Sequence, residues 1–506
     1  TRYKKEFTIM YKLIAQTRDI IKGKGEQKLA FMQIYQFYNA GYHNLSKKAF
    51  KNFVKITNEH PYGSWKDVKY FCNYVLEKTA DRKHPLIIYA CDIAINQLDC
   101  DLKLYNRYIK LLDETPDYSI KPEISLVSRW IPREKSKKFG WINKVMIEMK
   151  YSYLIKTAKS PTSQIRAYRK AHVEFKKIYT KLNKYLNTIQ IDQCQKSWSN
   201  INFNNVTSCT MRKQSRAFSN KKRDGSQRTY YQDRIDCAKN FITHLEAAKS
   251  DPQNHRVRGQ RCSVGDLTRD ALSMCSLTQS EKDRINLQWD DNKKNNVGLG
   301  NVIPCCDVSP SMECDNKTPL MNAIGLSIRA SEMTASDFKN RVLTFDTHPQ
   351  WVQLSDTDTF IEKANLLKKS AWGGSTDFYK MMNLILDVII ENNIPPETVE
   401  NLILAVFSDM QFDSSISSSH HTFNVMYDNI EISFKEAGMK TKYKVPYKPP
   451  HILFWNLRKT DGFPVVTNKK NVSMLSGFSS TLLNALCKNG IDAIKEYTPD
   501  KVLYDI

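Results

Sequence analysis

The sequence lacks the long apolar run of a membrane protein. A helix that crosses a bilayer needs about 18 or more consecutive apolar residues, and no such run is present. Hydrophobic residues form 41% of the chain and charged residues 25%, which is the balance of ordinary water-soluble proteins. We therefore expect no membrane-spanning segment and no membrane partner.

Motifs of common enzyme classes are also missing. The sequence contains no HExxH, no GxSxG nucleophile elbow and no Walker phosphate-binding loop. Each of these patterns places a nucleophile, a metal or a phosphate where its chemistry requires it. Their absence favours a protein that is not an enzyme.

Paired cysteines are absent as well. Twelve cysteines are scattered along the chain without a CxxC pair, which excludes a zinc knuckle and a dithiol redox motif. The first residues show no secretory signal, although the sequence begins at Thr1 rather than Met and a short leader is left open. We expect reduced thiols and an intracellular, cytoplasmic protein, with the nucleus or a virion as alternative locations.

Positive charge is present in excess and is unevenly spread. Residues 301–506 hold 20 Lys and Arg against 24 Asp and Glu, whereas residues 1–300 hold 56 against 29. The first part therefore carries about +27 and the second about −4. A field that strong typically holds a polyanion, most often nucleic acid. The alternative is a charged surface that only confers solubility.

The spacing of apolar residues predicts helices in the first part of the chain. From Phe7 to about Leu245 these residues recur at intervals of three and four, which is the helical period. Short polar or Gly/Pro stretches interrupt the pattern and suggest antiparallel helix pairs of the solenoid type. We predict a basic helical-repeat (HEAT-like) solenoid over residues 1–297.

The pattern changes near Gly298, where short apolar runs begin to alternate with helical segments. Such alternation is typical of parallel strands joined by helical crossovers. We therefore predict a doubly wound α/β domain over residues 298–506. The predicted strands are 301–306, 342–345, 402–407, 451–456 and 472–475, and the helices between them include 320–333, 357–369 and 378–390.

Oxygen-bearing side chains follow three elements of this predicted domain. Asp307, Ser309 and Ser311 come directly after the first strand, Thr376 lies in a Gly-Gly-Ser-Thr-Asp loop, and Asp409 ends another strand. Ligands bind beyond the carboxyl ends of strands in such sheets. Hydroxyls with few carboxylates suit one Mg²⁺ or Mn²⁺. The alternative is a turn in which Ser and Asp only cap a helix.

This constellation resembles the metal-ion-dependent adhesion site of von Willebrand A domains. The resemblance implies that Ser309 and Ser311 ligate directly and Thr376 directly or through water. Asp307 and Asp409 would act through water or by orienting the hydroxyls, and a partner's acidic side chain would complete the coordination. Pro310 departs from the family pattern, which often has Gly at this position.

Residues 407–413, 454–458 and 476–479 resemble blocks of an uncharacterised Ro-related family of plants, fungi and large DNA viruses. Residues 17–20, 23–26 and 62–67 are similar to blocks that this family shares with the TROVE module of Ro proteins, and residues 125–132 and 194–198 extend the likeness to the middle of the chain. Together the blocks span most of the chain. The resemblance implies a ribonucleoprotein component whose basic helical ring binds single-stranded RNA ends or small structured RNA.

Two basic stretches are candidate RNA contacts, because phosphates need cations and unstacked bases need flat side chains. The first stretch interleaves tyrosines with basic residues: Arg212, Lys213, Arg216, Lys221, Lys222, Arg223, Arg228, Tyr230, Tyr231 and Arg234. The second contains Arg256, Arg258 and Arg261 beside Gly259, which suggests a flexible arm. The alternative is a solvated charged helix whose tyrosines point into the core.

A weaker third patch consists of Arg129, Arg133, Lys135, Lys137 and Lys138, with Trp130 and Trp141 expected in the core. The rival to an RNA-binding function is a structural or protein-interaction role, for instance in the assembly of a viral particle. The composition leaves both open.

Overall fold

The computed structural model divides the chain into two units, Thr1–Ile201 and Asn202–Val502. It describes residues 2–55, 60–115, 120–273, 277–296, 298–335, 338–345, 348–370, 378–410, 420–458 and 471–486. The first unit is helical and the second contains a sheet with helices. The chain is therefore an α plus α/β protein, as the sequence predicted.

The helices of the first unit follow one another with short connections. Their bounds are α1 Arg2–Arg18, α2 Gln27–Asn39, α3 His43–Val54, α4 Lys66–Thr79, α5 Pro85–Glu114, α6 Val127–Trp130, α7 Gly140–Lys150, α8 Ser152–Lys156, α9 Pro161–Tyr185 and α10 Ile189–Gln195. The long helix α5 begins at Pro85, where a missing N–H costs nothing, and it packs against α4, α7 and α9.

Buried aromatic side chains form the core of this unit. Phe31, Phe50 and Phe71 are fully buried, and the rings of Phe50 and Phe71 stack with centroids 4.4 Å apart. Because the apolar residues of α2, α3 and α4 recur on one face of each helix, the three faces close on the same core. Whether these helices form HEAT-like repeats or a ring remains a prediction.

A buried ion pair joins two of the blocks on which the Ro resemblance rests. Arg18 donates two hydrogen bonds to Asp67, with N–O distances of 3.0 and 2.9 Å. Asp67 also accepts a hydrogen bond from the backbone N–H of Ser64. Since both charged groups are buried and well paired, we infer that these blocks hold the first helices together.

The second unit begins with helices and continues into alternating strands and helices. The bounds are α11 Ser208–Phe218, α12 Gln232–Ser250, α13 Val264–Ala271, α14 Gln279–Lys293, β1 Val302–Asp307, α15 Cys314–Met333, β2 Arg341–Phe345, β3 Trp351–Gln353, α16 Phe360–Lys369, α17 Phe378–Glu391, α18 Pro396–Glu400, β4 Ile403–Ser408, α19 His420–Lys440, β5 His451–Asn456 and β6 Val472–Ser476.

The sheet has the order β3-β2-β1-β4-β5-β6. Strands β1, β2, β4, β5 and β6 are parallel, and β3 pairs antiparallel with β2 at the edge. The strand order therefore reverses between β1 and β4. A crevice for ligands lies at such a reversal, beyond the carboxyl ends of the strands.

Helices α13 and α14 contribute to the hydrophobic core that lies between the sheet and helices α15 and α16. Leu267 of α13 and Trp289 of α14 are buried in one cluster with residues of β1, α15 and α16. Close approach of α13 and α15 depends on Gly325, since a Cβ there would collide with Val264. The two units divide at 201/202, and strand β1 begins at Val302.

Five predicted strands lie within one or two residues of the observed ones. The predicted elements did not include the three-residue strand β3, the short helix α18 or helix α19, which begins at His420. Among the described residues no helix combines the length and apolarity that a bilayer crossing requires.

Candidate metal site and basic surfaces

The ends of β1 and β4 bring the first candidate ligands together. Asp307 is the last residue of β1, and Ser408 is the last residue of β4, the neighbouring strand. Both side chains are buried. The Ser408 hydroxyl donates a hydrogen bond to Asp307 Oδ2 at 2.5 Å and accepts one from the backbone N–H of Met410. Ser408 thus joins the two strand ends.

Asp307 is a buried carboxylate with hydrogen-bond donors on both oxygens. Its Oδ1 accepts the backbone N–H of Ser309 at 2.9 Å. The pKa of Asp307 is raised to about 6: burial is the main cause, the hydrogen bonds from Ser408 and Ser309 offset part of the rise, and the negative charge of Asp409 adds to it. A cation at this edge would favour the ionised form.

The hydroxyls of Ser309 and Ser311 lie side by side, with Oγ atoms 2.9 Å apart. Both residues are half-buried. Pro310 begins a single turn of 3-10 helix, Pro310–Glu313, and Ser309 before it is extended, with φ −61° and ψ 157°. This is the conformation that a following proline favours. Pro310 is therefore compatible with the pair of adjacent hydroxyls.

Asp409 follows β4 and is completely buried. Its Oδ2 accepts a hydrogen bond from Arg458 Nη1 at 3.3 Å, and the Arg458 side chain is 27% exposed. Arg458 lies just beyond β5, where its own backbone N–H donates to Asn456 Oδ1. A guanidinium group thus already compensates the buried Asp409 charge.

These residues fit a small divalent ion. Neighbouring oxygen ligands of an octahedral Mg²⁺ lie about 3 Å apart, which matches the separation of the Ser309 and Ser311 hydroxyls. Among the described residues no three His, Cys, Asp or Glu side chains form a metal-binding group, so hydroxyl oxygens would supply direct ligands. The predicted ligand Thr376, in the loop 373–377, lies outside the described residues.

Several predicted RNA contacts are engaged in ion pairs within the second unit. Arg212 contacts Asp270 through two hydrogen bonds of 2.9 and 3.0 Å. Arg216 pairs with Glu281. Arg234, also in this stretch, donates to a backbone carbonyl. These side chains connect neighbouring segments of the second unit, and the charges of Arg212 and Arg216 are compensated by carboxylates.

The segment from Asn220 to Tyr231 forms an exposed basic turn. Lys222 and Ser226 are joined by a backbone hydrogen bond, as are Arg228 and Asn220. Residues 221–228 are all exposed. Tyr230 is 85% exposed and Tyr231 76%. The alternative in which these tyrosines point into the core is wrong. We call residues 220–231 the basic turn.

The stretch 256–261 is held against α14. Arg256 pairs with Asp291, which also accepts the backbone N–H of Gly259. A Cβ on Gly259 would collide with the carbonyl of Gln288. The flexible arm suggested by the sequence is therefore an ordered segment, although Arg258 and Arg261 remain exposed.

The sequence predicted only part of a cluster of cations and aromatic rings in the first unit, since it indicated the basic patch 129–138 but not Lys66 and Lys69. Lys69 Nζ lies 4.7 Å from the ring centroid of Trp130, 5.3 Å from that of Phe139 and 5.6 Å from that of Tyr70. We define the Lys69 cluster by its cations and its rings: Lys66, Lys69, Arg129, Arg133, Lys138, Tyr70, Trp130, Phe139 and Tyr179. Trp130, expected in the core, is only half-buried.

The cations of the Lys69 cluster repel one another. Burial lowers the pKa of Lys69, and the positive charges of Lys66 and Arg133 lower it further. Arg133 Cζ lies 4.1 Å from the ring centroid of Tyr179. In the described part of the chain none of the five cations forms an ion pair with a carboxylate, and the neighbouring Glu134 pairs with His172.

Comparison with known proteins places the chain beside uncharacterised relatives. Residues 301–502 match the model of a domain of unknown function, DUF7788. The whole chain is similar to an uncharacterised protein, L728, of Acanthamoeba polyphaga mimivirus. The two are 25% identical over 98% of this chain and 79% of the viral protein.

One solved structure also aligns with the chain, with low similarity. The Ro (RSR) protein of Deinococcus radiodurans aligns with 98% of this chain and 94% of its own, at 11% identity and a TM-score of 0.32. Such a score is too low to establish a common fold. Residues 301–502 are thus similar to DUF7788, and nearly the whole chain is similar to the mimivirus protein.

Proposed function

We propose that the protein binds RNA through its basic helical unit, as a component of a ribonucleoprotein. The Lys69 cluster is the observation that carries the proposal. Five cations lie among four aromatic rings there without carboxylate partners in the described residues. Residues 1–201 hold 38 Lys and Arg against 18 Asp and Glu, which adds a positive field around it.

Electrostatics explains why such a cluster favours a polyanion. Bringing like charges together and partly removing them from water costs free energy, as the lowered pKa of Lys69 shows. A phosphate between these cations would relieve the repulsion and release counterions. The partly exposed rings of Trp130 and Phe139 offer flat surfaces for unpaired bases. Single-stranded RNA supplies both groups.

The basic turn of the second unit is a second candidate contact. It presents Lys221, Lys222, Arg223 and Arg228 with two exposed tyrosines. Both tyrosine rings are largely exposed and offer stacking surfaces for bases. Arg212, Arg216 and Arg256 do not belong to this contact, because their guanidinium groups already bind carboxylates.

Charge reversal with a matched control tests the proposal. Lys66, Arg133 and Lys138 are changed together to Glu. The control changes Lys110, Lys144 and Lys177, which are exposed and paired with Glu114, Glu148 and Glu174. Both triple variants lower the net charge equally.

We expect the first variant to weaken binding of a labelled single-stranded RNA by about a hundredfold or more, and to lower the slope of log affinity against log salt. The control should lose much less, and both should fold as judged by circular dichroism. Equal losses in the two variants would show that only net charge matters. Unchanged binding in both would favour the structural or scaffold role.

We also propose that the second unit binds one Mg²⁺ or Mn²⁺ and, through it, an acidic side chain of a protein partner. The adjacent hydroxyls of Ser309 and Ser311 support this. They would ligate the ion directly, and Asp307 and Asp409 would act through water. Hydroxyl ligands leave the ion short of negative charge, and a carboxylate from a partner would supply it. The bound ion would attract the partner's carboxylate electrostatically.

Thermal unfolding of the full chain in Mg²⁺ or Mn²⁺ tests the metal proposal. An ion that binds only the folded state must raise Tm. Ser311→Ala should abolish the rise, whereas Ser433→Ala on α19 should keep it. A wild-type Tm that is insensitive to millimolar Mg²⁺ and Mn²⁺ would contradict the proposal. RNA affinity should be the same with and without chelator.

A further inference from the structure

The exposed residues 221–228 of the basic turn include one serine, Ser226. This stretch holds four cations and one acid, so its net charge is +3. Arg223 lies three residues before Ser226, and Arg228 lies two residues after it. The Ser226 hydroxyl is therefore accessible from solvent and surrounded by positive charge.

An arginine three residues before a serine or threonine is the pattern that arginine-directed protein kinases select. Acidic side chains beside the active site of such a kinase pair with this arginine. The sequence contains five acceptors in the pattern, namely Ser136, Ser215, Ser219, Ser226 and Thr344. The pattern alone does not choose among them, but their surroundings in the fold do.

Three of the five acceptors are buried. Ser215 lies within α11, Ser219 directly follows this helix, and Thr344 lies in β2. The Ser219 hydroxyl donates to the carbonyl of Ser215 at 3.0 Å. A kinase could reach these enclosed hydroxyls only if the helix or the strand unfolded locally.

Ser136 is held in a tight turn before α7. Its hydroxyl accepts a hydrogen bond from the backbone N–H of Phe139 at 3.3 Å, and its carbonyl accepts one from Gly140, the first residue of α7. A Cβ on Gly140 would collide with the carbonyl of Glu134, so the chain passes closely over itself here. Extending Ser136 into a kinase cleft would disrupt the start of α7.

Ser226, by contrast, is held only by contacts within the basic turn. Its hydroxyl and its backbone N–H both donate to Asp224 Oδ1, at 2.7 and 2.9 Å. Its carbonyl accepts the backbone N–H of Lys222 at 2.8 Å. No side chain of residues 221–228 is buried, so opening the turn breaks no hydrophobic packing and costs little free energy.

We propose that Ser226 is a phosphorylation site for an arginine-directed protein kinase, and that phosphate there weakens RNA binding by the basic turn. The second part rests on the proposed function. In the transfer, the Ser226 hydroxyl oxygen bonds to the γ-phosphorus of ATP, ADP leaves with the electrons of the broken P–O bond, and the hydroxyl proton passes to the aspartate base of the kinase. The added phosphate lowers the net charge of residues 221–228 to about +1 at neutral pH.

Phosphate incorporation into the full chain tests the site. The probe is the catalytic domain of a calmodulin-dependent protein kinase with Mg²⁺ and ATP, and tandem mass spectrometry of peptides locates the phosphate. The wild type should be modified at Ser226, and Ser226→Ala should remain unmodified. Arg223→Ala should slow the incorporation about tenfold or more, because the kinase loses one charge-assisted contact.

Lys221→Ala is the matched control, since it removes an equal charge from the same turn but at a position outside the pattern. Its incorporation rate should stay within about twofold of the wild-type rate. Equal slowing in Arg223→Ala and Lys221→Ala would overturn recognition through Arg223. Phosphate on Ser136 in place of Ser226, or no incorporation at all, would overturn the site.

The RNA affinity of the phosphorylated chain tests the consequence. Fluorescence anisotropy with a labelled single-stranded RNA should show binding weaker by about tenfold and a salt slope smaller by about 1–2. Kinase treatment should not change the affinity of Ser226→Ala.

The outcomes separate this inference from the proposed function. Unchanged RNA affinity of the phosphorylated wild type overturns the regulatory role and leaves RNA binding standing. If the chain binds no RNA before or after treatment, the proposed function and the regulatory role both fail, while phosphate on Ser226 still supports the modification site.

Discussion

Two sets of basic side chains, one in each unit, differ in what surrounds them. In the second unit Arg212, Arg216 and Arg256 bind carboxylates, and Arg284 is only 5% exposed beside Asp270. In the first unit the five cations of the Lys69 cluster lie against aromatic rings without acidic partners in the described residues. A basic residue therefore indicates a binding surface only when its charge is left uncompensated.

The largest effect is expected when an acid that pairs with the arginines of the second unit is removed. Asp270 accepts hydrogen bonds from both Arg212 and Arg284. Asp270→Ala should lower the free energy of unfolding by about 3 kcal/mol, because the buried Arg284 charge loses its partner. Urea denaturation measures the loss.

Lys110→Ala is the control, since its partner Glu114 is exposed and the change should cost less than about 0.5 kcal/mol. RNA affinity of the folded Asp270→Ala protein should be unchanged. A large loss of RNA affinity would instead place the paired arginines in the RNA interface. It would contradict the view that only cations without carboxylate partners bind RNA.

The next largest effect is expected at Asp307, a buried acid that forms no ion pair with the described residues. The pKa of Asp307 is raised to about 6 from an ordinary value of 3.8. As pH rises from about 4 to 6, the unfolded state loses this proton before the folded state does, so folding stability falls. Asp307→Asn removes this penalty.

With chelator present, Asp307→Asn should be more stable than the wild type by about 2 kcal/mol above pH 6. The difference should vanish below about pH 4, where the acid is protonated in both states. Urea denaturation at pH 4.0 and pH 7.5 gives both values. A difference that is independent of pH would attribute the effect to packing.

A smaller effect is expected at the centre of the Lys69 cluster. Lys69→Met keeps the apolar stem against Trp130 and removes the charge. RNA affinity should fall about tenfold, as expected for one cation that contacts phosphate, while Tm stays the same or rises. The matched change Arg212→Met should do the reverse, lowering Tm and sparing RNA affinity. Fluorescence anisotropy and thermal unfolding give the two readouts.

The smallest expected effect concerns the basic turn. Tyr230→Ala should weaken RNA binding about fivefold, since one stacked base contributes roughly 1 kcal/mol or more, and should leave Tm unchanged because the ring is exposed. Tyr74→Ala, at a half-buried ring of the first unit that contacts Phe31, should instead lower Tm. If Tyr230→Ala has no effect on RNA, the contact is confined to the first unit.

The sequence predicted the strands well and the partners of charged residues poorly. Strand β5 was predicted to the residue, because a run of apolar residues between polar ones is a local signal. The pairing of Arg212 with Asp270 joins residues 58 apart, and no local pattern distinguishes a paired arginine from a free one.

The Lys69 cluster was predicted only in part for the same reason, because no local pattern in the sequence shows which residues meet in the fold. Lys69, Trp130 and Tyr179 come from three separate helices and meet only through the tertiary fold. The basic patch 129–138 was visible in the sequence, but Lys66 and Lys69, which complete it, were not recognised. At the strand ends, by contrast, Asp307 and Ser408 could be placed together because neighbouring parallel strands end at one edge.

The packing of α13 and α14 determines where the chain can be truncated for expression. A fragment starting at residue 298 retains the sheet but loses Leu267, Ile285 and Trp289, all buried among the sheet's helices. The faces of α15 and α16 that they cover would become exposed apolar surface, which promotes aggregation. A fragment starting at residue 202 keeps that cover. Any expression or crystallisation of the sheet unit alone should therefore begin near residue 202.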